Sequence, residues 1–506
     1  MDHSNKDFSL LQTTKNIISN VILFCIEILV RLWYTPYLLR NLGNELFGFI
    51  PLANSAINIM GVFAQSLNLS SRRHITIELE KNDIPLANQI FNTTFLGTLL
   101  LISVVLPIGI ILIIVAPDLF NAPQYSERDV QMLFAGTISA YFLTTIRINF
   151  SIATYANNRF DLRNIVSLVS RLIQIGIIVI LFNIDSPKLA YVGIGAFTAA
   201  LAAFMGDIYL WKKLLPDLSL SLKAFRKKHL SPLLGTGSWM LVYQAGWVLY
   251  LNVDMLVANR ILGLSLAGMY GALLVIPKNI RIMANTVGGV WGPPLLSKYS
   301  QADFKGMDKI VRTSIKLIGL TLALPIGFLA GMAEPFLVLW LGPEYETMVW
   351  VFVMMIIHLS VNLIVAPFFN VQLSLNKVKI PAIVIFTLAI ANGLLMIVLS
   401  INYGPLGLAA ASALMLTTKN FVFMPIYTAE IMRLAWWHYV KKLLPIALVT
   451  LCVSILSFGI GVFYPPTSLF QLLTIGFLIS IGYLSVAYIF GLNQDEKVVV
   501  MKLFRR

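Results

Sequence analysis

The chain has 506 residues, of which 58% are hydrophobic and 12% charged, and its mean hydropathy is +0.82. Soluble domains carry about 25% charged residues, so this composition excludes an ordinary soluble fold. Segments such as 95–117 exceed the roughly 20 apolar residues needed to cross a bilayer, and similar runs recur along the chain. The sequence therefore predicts an all-α polytopic membrane protein.

The formal net charge of +14 raises the alternative of a nucleic-acid partner. Lys and Arg collect in the cytoplasmic loops of membrane proteins, which accounts for the excess without nucleic acid. Cys25 and Cys452 both lie in predicted spans and provide neither a disulfide framework nor a metal-ligand spacing. We therefore expect no nucleic acid partner, no metal and no cofactor. The polar N-terminal stretch 1–15 lacks the features of a cleaved signal peptide.

The apolar runs predict about fourteen transmembrane helices. Their expected bounds are 16–39, 46–70, 90–116, 130–154, 163–183, 189–211, 235–258, 266–295, 310–333, 347–372, 380–401, 405–429, 443–464 and 468–490. With both termini on the cytoplasmic side, 26 of the 37 Lys and Arg residues fall in inside segments and four in outside segments. This asymmetry predicts a multi-pass protein of the cytoplasmic (inner) membrane with both termini in the cytoplasm.

Short motifs recur at a nearly constant offset. LGNELFG (42–48) and LGLSLAG (262–268) are 220 residues apart, as are LFNAPQY (119–125) and LWLGPEY (339–345). The recurrence predicts two six-helix repeats around a central cavity, plus two C-terminal helices, an architecture typical of transporters. The expected divisions are an N-lobe at 1–211, a basic cytoplasmic linker at 212–234, a C-lobe at 235–429, and the last two helices with a cytoplasmic tail at 430–506.

Span one carries an acidic and a basic residue at mid-membrane depth. Glu27 and Arg31 are spaced i,i+4 with the acid first, so they can form an ion pair. The pair is either a structural lock between helices or a coupling site in which Glu27 exchanges Arg31 for H⁺ or Na⁺. Arg147 in span four and Lys419 in span twelve also lie deep enough to face a cavity.

Span seven presents aromatic rings and a carboxylate on one face. Trp247 and Tyr250 have flat apolar rings with polar edges, which suit stacking on sugars or packing between helices. Asp254 on the same face is costly at its depth unless it is protonated, paired or ion-bound. We expect Trp247 and Tyr250 to contact substrate and Asp254 to take part in ion coupling.

Span eight contains the stretch VIPKNIRIM (275–283). Lys278, Arg281 and Asn285 project within one sector just after Pro277, which favours a kink. Because Lys278 and Arg281 lie more than ten positions from either end of the predicted span, we expect them to line a cavity. His358, Asn362 and Gln372 in span ten form a softer polar face that is more typical of hydrogen bonds between helices.

The charge balance inside the spans is cationic, which favours an anionic substrate. The predicted cavity cations are Arg31, Arg147, Lys278, Arg281 and Lys419. Short predicted external loops leave no room for a soluble catalytic domain, so we expect a transporter and no enzyme. The alternatives are a multidrug or cation antiporter, which would need acids for cationic drugs, and a membrane glycan polymerase or ligase, which would need catalytic groups at the membrane surface.

The segments LRNLGNELFGF, TYANNRFDLRNIVSLVSRL, LWLGPEYE and NYGPLGLAAASAL occur in this order along the chain. With the twelve-plus-two layout they resemble the polysaccharide transporters (Wzx-type O-antigen flippases) of the multidrug/oligosaccharidyl-lipid/polysaccharide (MOP) flippase superfamily. The resemblance implies ion-coupled flipping of undecaprenyl-diphosphate-linked oligosaccharide for surface polysaccharide biosynthesis, by alternating access between two lobes. It also implies contact with membrane lipids, with polymerase and chain-length machinery as candidate partners. In kind, it matches cavity cations at Arg147, Lys278 and Arg281.

Overall fold

The computed structural model describes residues 10–62, 74–221, 238–494 and 496–497. Within these ranges the chain is helical and contains no strand. Parts of five predicted regions lie outside them: the first residues of the N-lobe, the end of span two, most of the basic linker at 212–234, the start of span seven and most of the C-terminal tail. The remaining predictions can be placed on observed helices.

The chain divides into two compact units, Met1–Gly268 and Met269–Arg506. The helices that begin in unit 1 are α1 (Leu10–Phe47), α2 (Phe49–Met60), α3 (Ile84–Leu119), α4 (Glu127–Phe150), α5 (Ile152–Ala156), α6 (Phe160–Ile184), α7 (Leu189–Leu214), α8 (Ser238–Val257) and α9 (Leu264–Leu273). A π-helical segment, Ala258–Leu262, follows α8. The boundary between the units falls inside α9, and the lobe division drawn from the sequence stays a prediction.

Unit 2 continues with short helices and four that are at least 18 residues long. They are α10 (Val275–Gly289), α11 (Gly292–Ser300), α12 (Phe304–Gly331), α13 (Ala333–Leu341), α14 (Val349–Ile357), α15 (Leu359–Asn362), α16 (Ala366–Ser374), α17 (Lys379–Thr417), α18 (Met424–Ile431), α19 (Val440–Phe463) and α20 (Leu469–Val486). π-Helical segments, Thr418–Phe423 and Ala487–Gly491, follow α17 and α20. Gly404 (φ 58°) divides α17 between the predicted spans eleven and twelve.

Ten helical segments of the described chain are long and apolar enough to cross a membrane. One of them, Lys379–Ile431, covers two predicted spans. Exposed apolar side chains cover these helices, as expected where lipid replaces water; Phe490, Phe463 and Ile184 are each at least 77% exposed. The chain is therefore a helical multi-pass membrane protein, and the count of fourteen spans remains a prediction.

Backbone positions with positive φ recur at the spacing of the sequence motifs. The pairs are Gly43 with Gly263 and Asn82 with Ala302, each 220 residues apart, and Asn158 with Asn376, 218 apart. An Asp follows the second pair in both halves, and each caps the next helix: Asp83 accepts from the Leu86 N–H and Asp303 from the Gly306 N–H. These correspondences support the predicted repeat.

The predicted long span at 266–295 is wrong as a single helix. Helix α9 ends at Leu273 and α10 begins at Val275, so Lys278 is the fourth residue of its helix. Pro277 lies in the first turn of α10, where its missing N–H requires no partner. The kink expected from Pro277 therefore separates two helices at the start of VIPKNIRIM.

Close helix contacts hold each unit together. In unit 1, α4 packs on α7 through Gly136 and Gly193, and a Cβ on Gly136 would collide with the Gly193 backbone. Small residues of this kind allow membrane helices to approach closely. The rings of Phe91, Phe150 and Trp211 also pack together, with centroids 5.2–6.2 Å apart.

Candidate functional site

Unit 2 gathers three basic side chains from separate helices. Arg281 on α10 interacts electrostatically with His358, directly after α14, and with Lys419, in the π-helical segment after α17. Lys419 is only 3% exposed. We call Arg281, His358 and Lys419 the unit 2 cationic cluster, in which Arg281 and Lys419 carry the positive charge and the His358 ring accepts from Asn362. Two of the five cavity cations predicted from the sequence, Arg281 and Lys419, are thus brought together.

Amide side chains connect the elements that carry this cluster. The Asn362 Nδ2 lies 2.8 Å from the His358 Nδ1 and donates to the Thr417 Oγ1 at 3.0 Å. The Asn420 Nδ2 donates to the Asn362 carbonyl oxygen at 2.8 Å. This network holds the histidine ring and positions the π-helical segment against α15. The prediction that the span-ten polar face makes hydrogen bonds between helices is confirmed here, and again where Gln372 donates to the Thr428 Oγ1 at 3.0 Å.

The π-helical segment places Lys419 and Asn420 in an irregular part of their helix. A π-helical turn widens the backbone and is frequent at functional sites. Both side chains are buried, although each has a polar end that requires partners. In the described part of the chain, the Oδ1 atoms of Asn362 and Asn420 are buried and accept no hydrogen bond. Acceptor oxygens and cationic donors therefore occur together in this region.

The two other predicted residues of α10 differ in exposure. Lys278 lies one turn before Arg281 and is half-buried, whereas Asn285 lies one turn after it and is exposed. In the first half, the position 220 residues before Lys278 is Asn58, whose Nδ2 donates to the Asn252 Oδ1 of α8 at 3.0 Å. A neutral amide suits that role, so the two halves use this position differently.

In unit 1, the predicted pairing of Glu27 and Arg31 is confirmed. The Arg31 Nη2 donates to the Glu27 Oε2 at 2.8 Å, and about a third of each side chain is exposed. Arg171 on α6 interacts electrostatically with both residues and donates to the Gln174 Oε1 at 2.7 Å. No local sequence pattern indicated that Arg171, on another helix, interacts with Glu27.

Arg147 forms an ion pair inside unit 1. Its Nε donates to the Asp207 Oδ2 at 2.6 Å, and the Asp207 side chain is fully buried. Arg163 on α6 interacts electrostatically with both residues. The sequence predicted Arg147 as a cavity cation; the structure pairs it with Asp207, which also interacts electrostatically with Arg163.

The two aromatic rings on α8, Trp247 and Tyr250, stack on each other. The ring centroids of Trp247 and Tyr250 are 6.1 Å apart with an angle of 16° between the planes, and Tyr250 is only 3% exposed. Asp254, one turn further along α8, is also buried and accepts from the Met255 N–H at 2.8 Å. This geometry matches the packing alternative for Tyr250 and leaves more of Trp247 accessible.

The described helices form a membrane-protein fold that is similar to the folds of two solved transport proteins. The structure of the lipid II flippase MurJ in an inward closed conformation is similar to this one. The two align over 95% of this chain and 99% of the MurJ chain, with a TM-score of 0.65 and 16% identity. The inward-facing structure of a multidrug resistance MATE family transporter of the MOP superfamily covers 84% of this chain and 94% of its own, with a TM-score of 0.59 and 12% identity. At these identities the likeness shows the fold alone.

The sequence comparisons identify the family. The model of the family described as "Polysaccharide biosynthesis protein" matches residues 13–300, more than half of the chain, and the chain belongs to that family. It is 29% identical to the "Uncharacterized membrane protein EpsK" of Bacillus subtilis (strain 168), over 98% of this chain and 99% of the relative. It is 24% identical to the "Putative O-antigen transporter" of Shigella flexneri, over 82% of this chain and 97% of the relative. The resemblance read from the sequence is confirmed.

Proposed function

We propose that the chain is a flippase that moves an anionic polyprenyl-diphosphate-linked oligosaccharide across the cytoplasmic membrane. The family, the O-antigen transporter among the relatives and the flippase fold support this proposal. Transport by alternating access, coupled to H⁺ or Na⁺, is part of it. Coupling requires that substrate and ion bind the two facing states with different affinity.

The observation that carries the proposal is the unit 2 cationic cluster. Arg281 and Lys419 repel each other, and burial of Lys419 adds the cost of desolvation. Charged residues kept within membrane spans at such cost commonly mark substrate pathways. A diphosphate offers several charged oxygens, and guanidinium and ammonium groups bind such oxygens through short charge-assisted hydrogen bonds. Binding an anion would therefore offset the repulsion between the two cations.

The other predicted residues take subsidiary roles in this proposal. Lys278 extends the cationic face of α10 toward phosphate, and Asn285 donates to the sugar. In unit 1, Arg31 and Arg147 attract acidic groups, and the exposed part of Trp247 stacks on sugar rings, with Tyr250 stacked on Trp247. Glu27 and Asp254 are the coupling carboxylates. For Arg147 this role requires that it release Asp207, its partner in the structure.

The test is leaflet transfer of a lipid-linked oligosaccharide by purified protein in liposomes. We expect the double variant Arg281→Ala/Lys419→Ala to lose at least tenfold in initial rate, because two charge-assisted interactions of about 1.5–3 kcal/mol each are removed. The control Arg128→Ala/Lys305→Ala removes the same charge from exposed positions and should keep the rate.

A folding defect is separated by measuring the thermal stability of each purified variant. Unchanged transfer in a folded Arg281→Ala/Lys419→Ala protein would show that the cluster does not bind substrate. Transport of a cationic dye driven by a proton gradient, without any transfer of lipid-linked sugar, would instead establish the multidrug antiporter.

A further inference from the structure

A basic pocket lies in unit 2, away from the cationic cluster. It has a volume of about 850 Å³ and is bounded by the first half of α12, by α19 and by the segment after α20. Lys309, Arg312 and Lys316 recur at i, i+3 and i+7 along α12 and therefore share one face, and Lys442 approaches from α19. Glu496 is the one carboxylate in the described lining, which leaves a surplus of three positive charges.

Ion pairs fix the positions of Arg312 and Lys316. The Lys316 Nζ lies 2.6 Å from the Glu496 Oε2, and the Arg312 Nη2 lies 3.0 Å from the Asp308 Oδ2. Glu496 also accepts from the Asn493 N–H at 2.8 Å, so the segment after α20 is held across the pocket. The ion pairs hold the walls in place, and the lining remains basic.

An apolar groove adjoins the pocket. It has a volume of about 990 Å³ and runs between α12 and α20, and Leu320 lines both spaces. Leu473, Phe477 and Leu484 line the groove and are each at least 60% exposed, so it is open at the lipid-facing surface of α20. The two spaces together therefore combine a cationic head with an apolar channel.

The dimensions match one leaflet of a bilayer. From Lys316 in the pocket to Phe328 in the groove, twelve residues of α12 rise about 18 Å. Half of a hydrocarbon core of roughly 30 Å is about 15 Å. The charge asymmetry of the sequence places the basic end at the cytoplasmic surface, where anionic lipids and clusters of Lys and Arg attract one another.

We propose that the pocket and groove bind an anionic phospholipid, with its phosphate among Lys309, Arg312, Lys316 and Lys442 and one acyl chain along the groove. A polyprenyl chain is several times longer than a groove that spans one leaflet, so the fit favours a phospholipid over the lipid-linked sugar. The site is distinct in composition from the unit 2 cationic cluster, because none of the cluster residues lines either space.

The test is binding of defined lipids to the purified full chain, measured by native mass spectrometry. Phosphatidylglycerol should bind at least tenfold more tightly than phosphatidylcholine with the same acyl chains. The variant Lys309→Glu/Lys442→Glu should lose that preference. The control Lys305→Glu/Lys441→Glu makes the same charge change on the same two helices, outside the pocket, and should keep it.

The groove is tested independently with Thr321→Trp. Thr321 is exposed and lines the groove, so the indole should occupy the channel without disturbing the interior. We expect it to weaken phosphatidylglycerol binding while leaving the binding of glycerophosphate unchanged.

Three results would overturn the proposal. Equal binding of phosphatidylglycerol and phosphatidylcholine would show that the cations of the pocket do not select an anionic headgroup. Glycerophosphate binding as tightly as the whole lipid would remove the role of the groove. Displacement of phosphatidylglycerol by an equimolar polyprenyl diphosphate would assign the site to the transported substrate.

Discussion

The ion pair between Arg147 and Asp207 allows a quantitative test of how unit 1 is held together. The Asp207 side chain is fully buried, and 17% of the Arg147 side chain is exposed. Removing one partner of a buried pair typically costs 3–5 kcal/mol, because the other charge stays buried without compensation. Replacing both partners with apolar residues of similar volume is often neutral or stabilising. The pair therefore predicts strong non-additivity.

Arg163 makes the two single variants unequal. After Arg147→Met, Asp207 keeps its electrostatic interaction with Arg163. The free energy of unfolding should therefore fall by an amount near the lower end of that range, about 3 kcal/mol. After Asp207→Leu, the two arginines repel each other without a carboxylate between them, so the loss should be nearer 5 kcal/mol. The double variant should recover at least about 2 kcal/mol relative to Asp207→Leu.

The assay is a double-mutant cycle on purified protein in detergent, with chemical unfolding followed by tryptophan fluorescence. Arg128→Met, an exposed arginine on the same helix as Arg147, is the control for loss of a charge. Additive effects of the two substitutions, or a smaller loss in Asp207→Leu than in Arg147→Met, would refute the reasoning.

Two further predictions concern unit 2. Asn362→Leu removes the hydrogen bond to Thr417 and should destabilise the protein by about 1–3 kcal/mol, with a loss of transfer rate, whereas Asn402→Leu, at an exposed position on α17, should change neither. Hydrogen bonds from Lys298 and from a backbone N–H hold the pKa of the Asp303 carboxyl below its usual range. The carboxylate therefore stabilises the folded protein fully above the unfolded-state pKa of about 3.9, and this stabilisation is lost as the pH falls through the lower pKa of the folded state. The melting temperature of Asp303→Asn should therefore fall less on acidification than that of the wild type, and equal falls would contradict this.

Local patterns in the sequence predicted the features that depend on neighbouring residues. The Glu27–Arg31 pair follows from i,i+4 spacing on one helix, and the break at Pro277 from the geometry of the proline ring. The sequence predicted one continuous span over 266–295, because hydropathy is continuous there, and the structure interrupts it at Leu274. The burial of Tyr250 was also beyond the pattern, because it depends on which residues pack against α8.

The pairing of distant charges was decided by the tertiary structure. Arg147 and Asp207 are 60 residues apart in sequence, and Arg281, His358 and Lys419 come from three different helical segments. Lys316 pairs with Glu496 beyond α20, 180 residues away in sequence. The sequence by itself determined a cationic, helical membrane protein, because transfer of a segment into lipid depends on its own composition. Only the packing of helices determined which distant charged side chains interact, because those energies depend on distances that no local pattern specifies.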